Sequence, residues 1–135
     1  MILHAMKSIA KSAAETGHRG LIVWQKSVDL AVHVLRIARV LPAPERYHFA
    51  QQMRSAALSV AANIAEGKGR ATRADYARFL TIARGSAREL DTYIEIIRRA
   101  GYVNATRLAP AEQLVREVLS MLTAMLRRLT PLKSA

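Results

Sequence analysis

The chain has 135 residues, of which 51% are hydrophobic, and 21 Lys and Arg against 10 Asp and Glu give a formal net charge of +11. A domain of this length can bury a sufficient core without staples, and the absence of cysteine excludes disulfides, thiolate zinc sites and cysteine nucleophiles. No stretch approaches the about 20 apolar residues of a membrane span, and residues 1–20 lack a signal-peptide core, so we expect a cytoplasmic protein with a flexible N-terminal tail over 1–20.

Two helices are predicted in the first half of the chain. Apolar residues step by three and four along residues 23–40, and Pro42 and Pro44 follow, which cannot continue a helical hydrogen-bond ladder. A second helix is predicted over residues 45–66, where frequent alanines allow a neighbouring helix to approach closely. Gly67 is expected to end it as a left-handed cap.

Two further helices are predicted in the second half. The third covers residues 73–100, with Thr72 and Asp75 as a start similar to a capping box and a glycine directly after its end. Its main apolar stripe continues for nearly four heptads, and a second stripe lies beside it. The fourth is predicted over residues 110–129, because Pro110 suits a first helical position better than Asn104 suits the cap of an earlier turn. Residues 131–135 are assigned to a C-terminal tail.

Four amphipathic helices with short connections predict an all-α protein, an antiparallel up-down-up-down four-helix bundle over residues 21–130. The first, third and fourth helices carry more apolar positions than the about three per heptad that a lone bundle buries. Either the core is broad, or a second face packs against another copy of the chain. Because exposed apolar stripes of this length are uncommon on monomers, we expect a homo-oligomer.

The positive charge indicates affinity for polyanions, of which nucleic acid is the commonest, although an arginine-rich composition also accounts for it. The nucleic-acid-binding candidates are the cations of the turn after the second helix and of the third helix: Lys68, Arg70, Arg73, Arg84, Arg88, Arg98 and Arg99. The alternative is a solvated helix face, since acidic residues are interspersed. No interleaved aromatic residues indicate base stacking, so binding is expected to follow the nucleic-acid backbone with little sequence specificity.

Other kinds of site fit the sequence poorly. The Gly-Lys-Gly at residues 67–69 lacks the upstream glycine and the following Ser or Thr of a Walker A phosphate loop. The two Glu-x-x-His spacings, at residues 15–18 and 45–48, do not lie in the middle of a predicted helix, as a di-metal site requires. His33 and His48 show no grouping with an acid and a nucleophile. We therefore expect no enzymatic activity, cofactor or metal.

Structural roles are predicted for Trp24, Asn63, Glu66 and Gly67, at a helical hairpin or at an interface between protomers. Asn63 and Glu66 lie about one turn apart near the end of the second helix. Buried polar groups in proteins are almost always hydrogen-bonded. We expect these two side chains to bond the following turn or a neighbouring helix.

Several short stretches together point to a known family. They are VWQK at 23–26, MRSAALSV at 53–60, NIAEG at 63–67, GR at 69–70, FL at 79–80, GS at 85–86, EL at 89–90 and RAGY at 99–102. In this combination the chain resembles the four-helix-bundle family of bacterial 23S rRNA intervening-sequence proteins over about residues 21–129. The Asn-Ile-Ala-Glu-Gly stretch is the most specific part.

The resemblance implies a small cytosolic bundle that assembles as a ring of five protomers and has no enzymatic activity. A more distant relative, the accessory protein of diversity-generating retroelements, implies binding to nucleic acid and to a reverse transcriptase. The leading hypothesis is a non-enzymatic homo-oligomeric scaffold, with a pentamer favoured, whose basic surface binds RNA or DNA non-specifically. The alternative is a protein-interaction adapter for an acidic or nucleic-acid-processing partner.

Overall fold

The computed structural model describes residues 1–6 and 17–130, so residues 7–16 of the tail predicted over residues 1–20, and the whole tail predicted over residues 131–135, lie outside the described residues. A single 3-10 turn at His18–Gly20 precedes four long helices, which are α1 (Ile22–Arg39), α2 (Glu45–Lys68), α3 (Arg73–Ala100) and α4 (Ala105–Leu129). No strand occurs in the described part of the chain. The prediction of an all-α fold is confirmed.

The four helices form a bundle around one apolar core. Consecutive helices pack side by side, and α4 also packs against α1, so that each long helix has two neighbours. Each contributes fully buried side chains, among them Leu30, Ile64, Leu90 and Leu122. None of the described helices is long and apolar enough to cross a membrane.

The second apolar stripe of α3 is used partly within the chain. Tyr93 packs edge-on against Phe49 of α2 with ring centroids 5.4 Å apart, and Phe79 is half-buried. Ile82 and Ile96 in the same stripe remain 42% and 45% exposed. The extra width of the stripe therefore has two causes, contact with α2 and two isoleucines that the described residues leave uncovered.

Side-chain and glycine caps set three of the helix ends. The Thr72 hydroxyl accepts a hydrogen bond from the backbone N–H of Asp75 at 3.1 Å, as the sequence predicted. Gly101 ends α3 in the left-handed conformation, with φ of 72°. The Asn104 side chain accepts from the backbone N–H of Arg107 at 2.8 Å.

The predicted start of the fourth helix is wrong by five residues. Helix α4 begins at Ala105, and Pro110 lies inside it. A proline at this position removes one backbone hydrogen bond. The Asn104 cap and the burial of Leu108 in the core both favour the longer helix, and they outweigh the missing bond.

The left-handed cap predicted at Gly67 is also wrong. Helix α2 continues to Lys68, two residues beyond the predicted end, and Gly69 follows it in a right-handed conformation. Gly67 is a buried helical residue where α2 and α3 nearly touch. A Cβ atom there would lie 2.8 Å from Phe79 Cβ and 3.1 Å from Tyr76 Cδ2. Glycine is needed at this position because α2 and α3 pack closely there, and not because of its backbone conformation.

The 3-10 turn is held against α1 by Trp24, which is half-buried. The His18 ring meets the Trp24 ring edge-on at 5.0 Å, and the Arg19 guanidinium lies 5.4 Å from the Trp24 ring centroid. Gln25 donates a hydrogen bond to the Arg19 carbonyl at 2.9 Å. Trp24 therefore fixes the point at which the chain enters the bundle.

An ion pair joins α1 to α4 and predicts how stability depends on pH. Lys26 donates to the Glu117 carboxylate, and this bond, with a second from Gln113, holds the pKa of Glu117 below its usual range. A carboxyl with a lowered folded-state pKa stabilises the protein above its unfolded-state pKa of about 4.3, and this contribution is lost as pH falls through the folded-state pKa.

We expect E117Q to be less stable at pH 7 and to lose less stability on acidification, measured by urea unfolding between pH 3 and 7. The matched control is D29N on the exposed face of α1. Equal pH dependence of E117Q and the unmodified chain would contradict the prediction.

Candidate nucleic-acid interface

The cations of the turn between α2 and α3 are held by neighbouring side chains. Arg70 donates to the Glu66 carboxylate at 2.6 Å, and its guanidinium lies 4.7 Å from the Phe79 ring centroid. The ammonium group of Lys68 lies 6.0 Å from the Tyr76 ring centroid. Ion pairs and cation–π contacts at exposed sites are weak, so these groups remain accessible to anions. Their first role is to pack the turn.

Arg73 brings two distant basic segments together. Its guanidinium donates a hydrogen bond to the backbone carbonyl of Arg128 at 3.0 Å. This bond places the first residue of α3 beside the end of α4. The cations of the turn therefore share one end of the bundle with Arg127 and Arg128, which the sequence had not connected with them.

Arg98 and Arg99, by contrast, are neutralised in part by one acid. Glu95 accepts from Arg98 through both carboxylate oxygens and from Arg99 Nε at 2.9 Å. The bonds from Arg98 and then Arg99 keep the pKa of Glu95 below its usual range. Both arginines lie in the last turn of α3, where the helix dipole also stabilises positive charge. They are the weakest of the predicted nucleic-acid contacts.

Arg84 and Arg88 differ from the other candidates because, within the described residues, neither side chain forms an ion pair, a hydrogen bond or a cation–π contact. They lie one turn apart on α3, about 16 and 22 Å along the helix from Arg73. Arg84 is half-buried and Arg88 is exposed. Both charges are available to a ligand.

Arg88 lines an open groove between α3 and α4 with a volume of about 470 Å³. The other lining residues are Leu119, Ser120, Thr123, Ala124 and Arg127. We call this the α3–α4 groove. Two guanidinium groups and two hydroxyls are all donors that bind phosphate oxygens, and Arg does so with two parallel bonds. The groove has the chemistry of a phosphodiester site.

Sequence reasoning found Arg84 and Arg88 but missed Arg127, Ser120 and Thr123. Arg127 belongs to the last turn of α4, where a basic residue is explained by the helix dipole alone. Nothing in the sequence around Ser120 and Thr123 distinguishes them from the other polar residues of α4. Only the packing of α3 against α4 shows that these side chains share a groove.

Asn63 bonds Ser59 of its own helix, and Ser59 in turn bonds Ser86 of α3. The Asn63 amide donates to the Ser59 carbonyl at 2.8 Å and to Ser59 Oγ at 3.0 Å, and Ser59 Oγ lies 2.8 Å from Ser86 Oγ. Glu66 is exposed and bonds Arg70. The prediction that both side chains bond the following turn or a neighbouring helix is therefore wrong for Asn63, which bonds only its own helix, while Glu66 does bond Arg70 of the turn.

The described histidines and acids that could have formed a catalytic or metal site are not brought together. Within residues 1–6 and 17–130, no three His, Asp or Glu side chains form a group that holds a metal. His18 packs on Trp24, and His48 is exposed on α2. Glu15 and the Glu45 side chain lie outside the described structure.

Comparison with known proteins supports the family suggested by the motifs. The model of the family "23S rRNA-intervening sequence protein" matches residues 19–124. Among solved structures, the chain is similar to a protein of unknown function from the S23 ribosomal protein family of Bacteroides thetaiotaomicron VPI-5482, with a TM-score of 0.73 and 23% identity over 78% of this chain and 99% of that one. No curated protein matches the chain significantly. The structural likeness shows a shared fold.

Proposed function

Since the chain belongs to the family of 23S rRNA-intervening sequence proteins, we propose that it is a non-enzymatic homo-oligomeric scaffold whose basic surface binds RNA or DNA without sequence specificity. The observation that carries the nucleic-acid half is the α3–α4 groove, where Arg88 and Arg127 flank two hydroxyl-bearing side chains. A net charge of +11 supplies the long-range attraction. The groove supplies the contacts to phosphate.

The basic end of the bundle extends this surface. Arg73, Arg127 and Arg128 lie together at that end, and Arg84 and Arg88 continue from it along α3 for about 22 Å. Phosphates on one strand of B-form DNA are about 3.4 Å apart along the axis. A strand lying in the groove would pass several cations in succession. The absence of exposed stacked aromatics in the groove favours backbone contacts over base contacts.

The proposed architecture is an antiparallel up-down-up-down bundle. Gly67, near the end of α2, lies beside Phe79, near the start of α3, and Phe49, near the start of α2, lies beside Tyr93. The turns between the four helices are short, and α4 packs against α1 as well as α3. These contacts support helices that alternate in direction.

Salt dependence tests the nucleic-acid half of the proposal. We expect fluorescently labelled single- and double-stranded oligonucleotides to bind with a log–log salt slope of about −0.7 to −0.9 per phosphate contacted, and with similar affinity for unrelated sequences. Binding that does not change with salt concentration would contradict the nucleic-acid-binding part of the proposal. A pull-down from nuclease-treated lysate would then test the acidic or nucleic-acid-processing protein partner instead.

Self-association, with a pentamer favoured, is the other half, and it is supported by the two exposed isoleucines of α3. We expect light scattering to give a mass of about five times 14.9 kDa. The I82E/I96E variant should shift towards the monomer, because a charge buried without a partner at an interface is strongly unfavourable. The matched control is T81E, since Thr81 is exposed on the same helix next to Ile82. A monomeric unmodified chain, or an unchanged mass for I82E/I96E, would contradict this surface.

A further inference from the structure

A second groove, between the start of α1 and the last turns of α4, is apolar. It has a volume of about 460 Å³, and its lining includes Leu21, Ile22, Met121, Ala124 and Met125. Ile22 is 58% exposed although it is a large aliphatic side chain. For comparison, a cavity of roughly 150 Å³ is enough to hold a benzene ring. We call this the α1–α4 groove. The described residues leave it uncovered.

The same chain carries an apolar segment that is equally uncovered. Residues 2–6 form a helical turn in which Ile2, Leu3 and Met6 are 79%, 65% and 61% exposed. Residues spaced by three and four share one face of a helix, so these three side chains form one apolar face. Their exposure to water is unfavourable, as is that of the groove.

The connection between the two surfaces is short enough to keep them together. Residues 7–16 separate the segment from the described chain that resumes at Gly17, and the groove lining begins at Gly20. Ten residues span between about 15 Å as a helix and about 35 Å when extended. The groove side of α4, from Ser120 to Arg128, is about 12 Å long. The tether therefore reaches every part of the groove.

We propose that residues 1–6 dock their apolar face into the α1–α4 groove of the same protomer. A short tether gives the segment an effective concentration on the order of millimolar at the groove, which favours it over a second copy at micromolar concentration. Docking covers Ile22 and the methionines of α4 while it buries Ile2, Leu3 and Met6. The α1–α4 groove lies beside the α3–α4 groove on α4, and the two share Ser120 and Ala124. The disulfide and thiol-reactivity measurements below follow the segment itself, so their outcome does not depend on nucleic-acid binding.

Thiol chemistry tests the docking in the full chain, because the sequence contains no cysteine and an introduced pair is unambiguous. In L3C/A124C we expect a disulfide within one chain under mild oxidation, seen by peptide mapping and as a monomer on a non-reducing gel. The control is L3C/S55C, in which Ser55 is exposed on α2, a helix that does not pack against α4. Disulfide-linked dimers of L3C/A124C, or equal yields in the two variants, would overturn docking within the protomer.

A second measurement does not depend on the register of the segment. In the single variant L3C, the thiol should react slowly with a maleimide reagent, and adding A124R, which fills the groove, should speed the reaction. Circular dichroism establishes that both variants are folded. If L3C reacts at the same rate with and without A124R, the segment does not occupy the groove and the inference is wrong.

Discussion

Replacement of Gly67 by alanine is expected to destabilise the protein, although alanine is the better helix former. Helix propensity alone favours alanine by about 1 kcal/mol. The new Cβ, however, would lie 2.8 Å from Phe79 Cβ and 3.3 Å from the Tyr76 carbonyl oxygen, which are too close to the backbone to move freely. Overpacking of this kind costs about 1–3 kcal/mol, so we expect a net loss of about 1 kcal/mol, and a larger loss for G67V.

Gly85 provides the matched control for this prediction. It is an exposed residue inside α3, and a Cβ added there meets nothing within 4 Å. G85A should therefore gain up to about 1 kcal/mol. Urea unfolding of both variants at the same protein concentration holds the contribution of oligomerisation constant between them. A stabilised G67A would show that α2 and α3 separate at this point without cost.

Removal of both guanidinium groups from the α3–α4 groove is expected to have the largest effect on nucleic-acid binding. In R88Q/R127Q two charge-assisted bonds to phosphate are lost, each worth about 1.5–3 kcal/mol, which corresponds to a fall in affinity on the order of 100-fold or more. The salt slope with duplex DNA should decrease in magnitude by about 1.8. Neither arginine forms an ion pair within the described residues, so the fold should be unaffected.

A control variant must distinguish the effect of net charge on affinity from the effect of the groove. R54Q/R107Q also lowers the charge from +11 to +9, but Arg54 and Arg107 are exposed on α2 and at the start of α4, outside the groove. We expect this control to retain most of the affinity and nearly all of the salt slope. Equal losses in the two double variants would show that the overall field, and not the α3–α4 groove, holds the nucleic acid.

The candidate site was predictable only in part, for a reason that its residues illustrate. Arg84 and Arg88 are neighbours along one helix, and the spacing of four residues shows this without a structure. The sequence does not distinguish Arg98 and Arg99 from Arg84 and Arg88, but in the structure Glu95 accepts hydrogen bonds from both Arg98 and Arg99. The partner of Arg88 in the groove, Arg127, lies 39 residues further along the chain. No local pattern reports a contact over that separation.

The sequence by itself determined the helices, their apolar faces and the family. Periodicity and capping residues act within one or two turns, so Thr72, Gly101 and the main stripe of α3 were read correctly. Tertiary structure decided what depends on a neighbouring helix. Helix α4 begins at Ala105 and not at Pro110, because burial of Leu108 outweighs the backbone hydrogen bond lost at Pro110. It also gave Gly67 a packing role, since the space beside a residue is set by whichever helix lies against it.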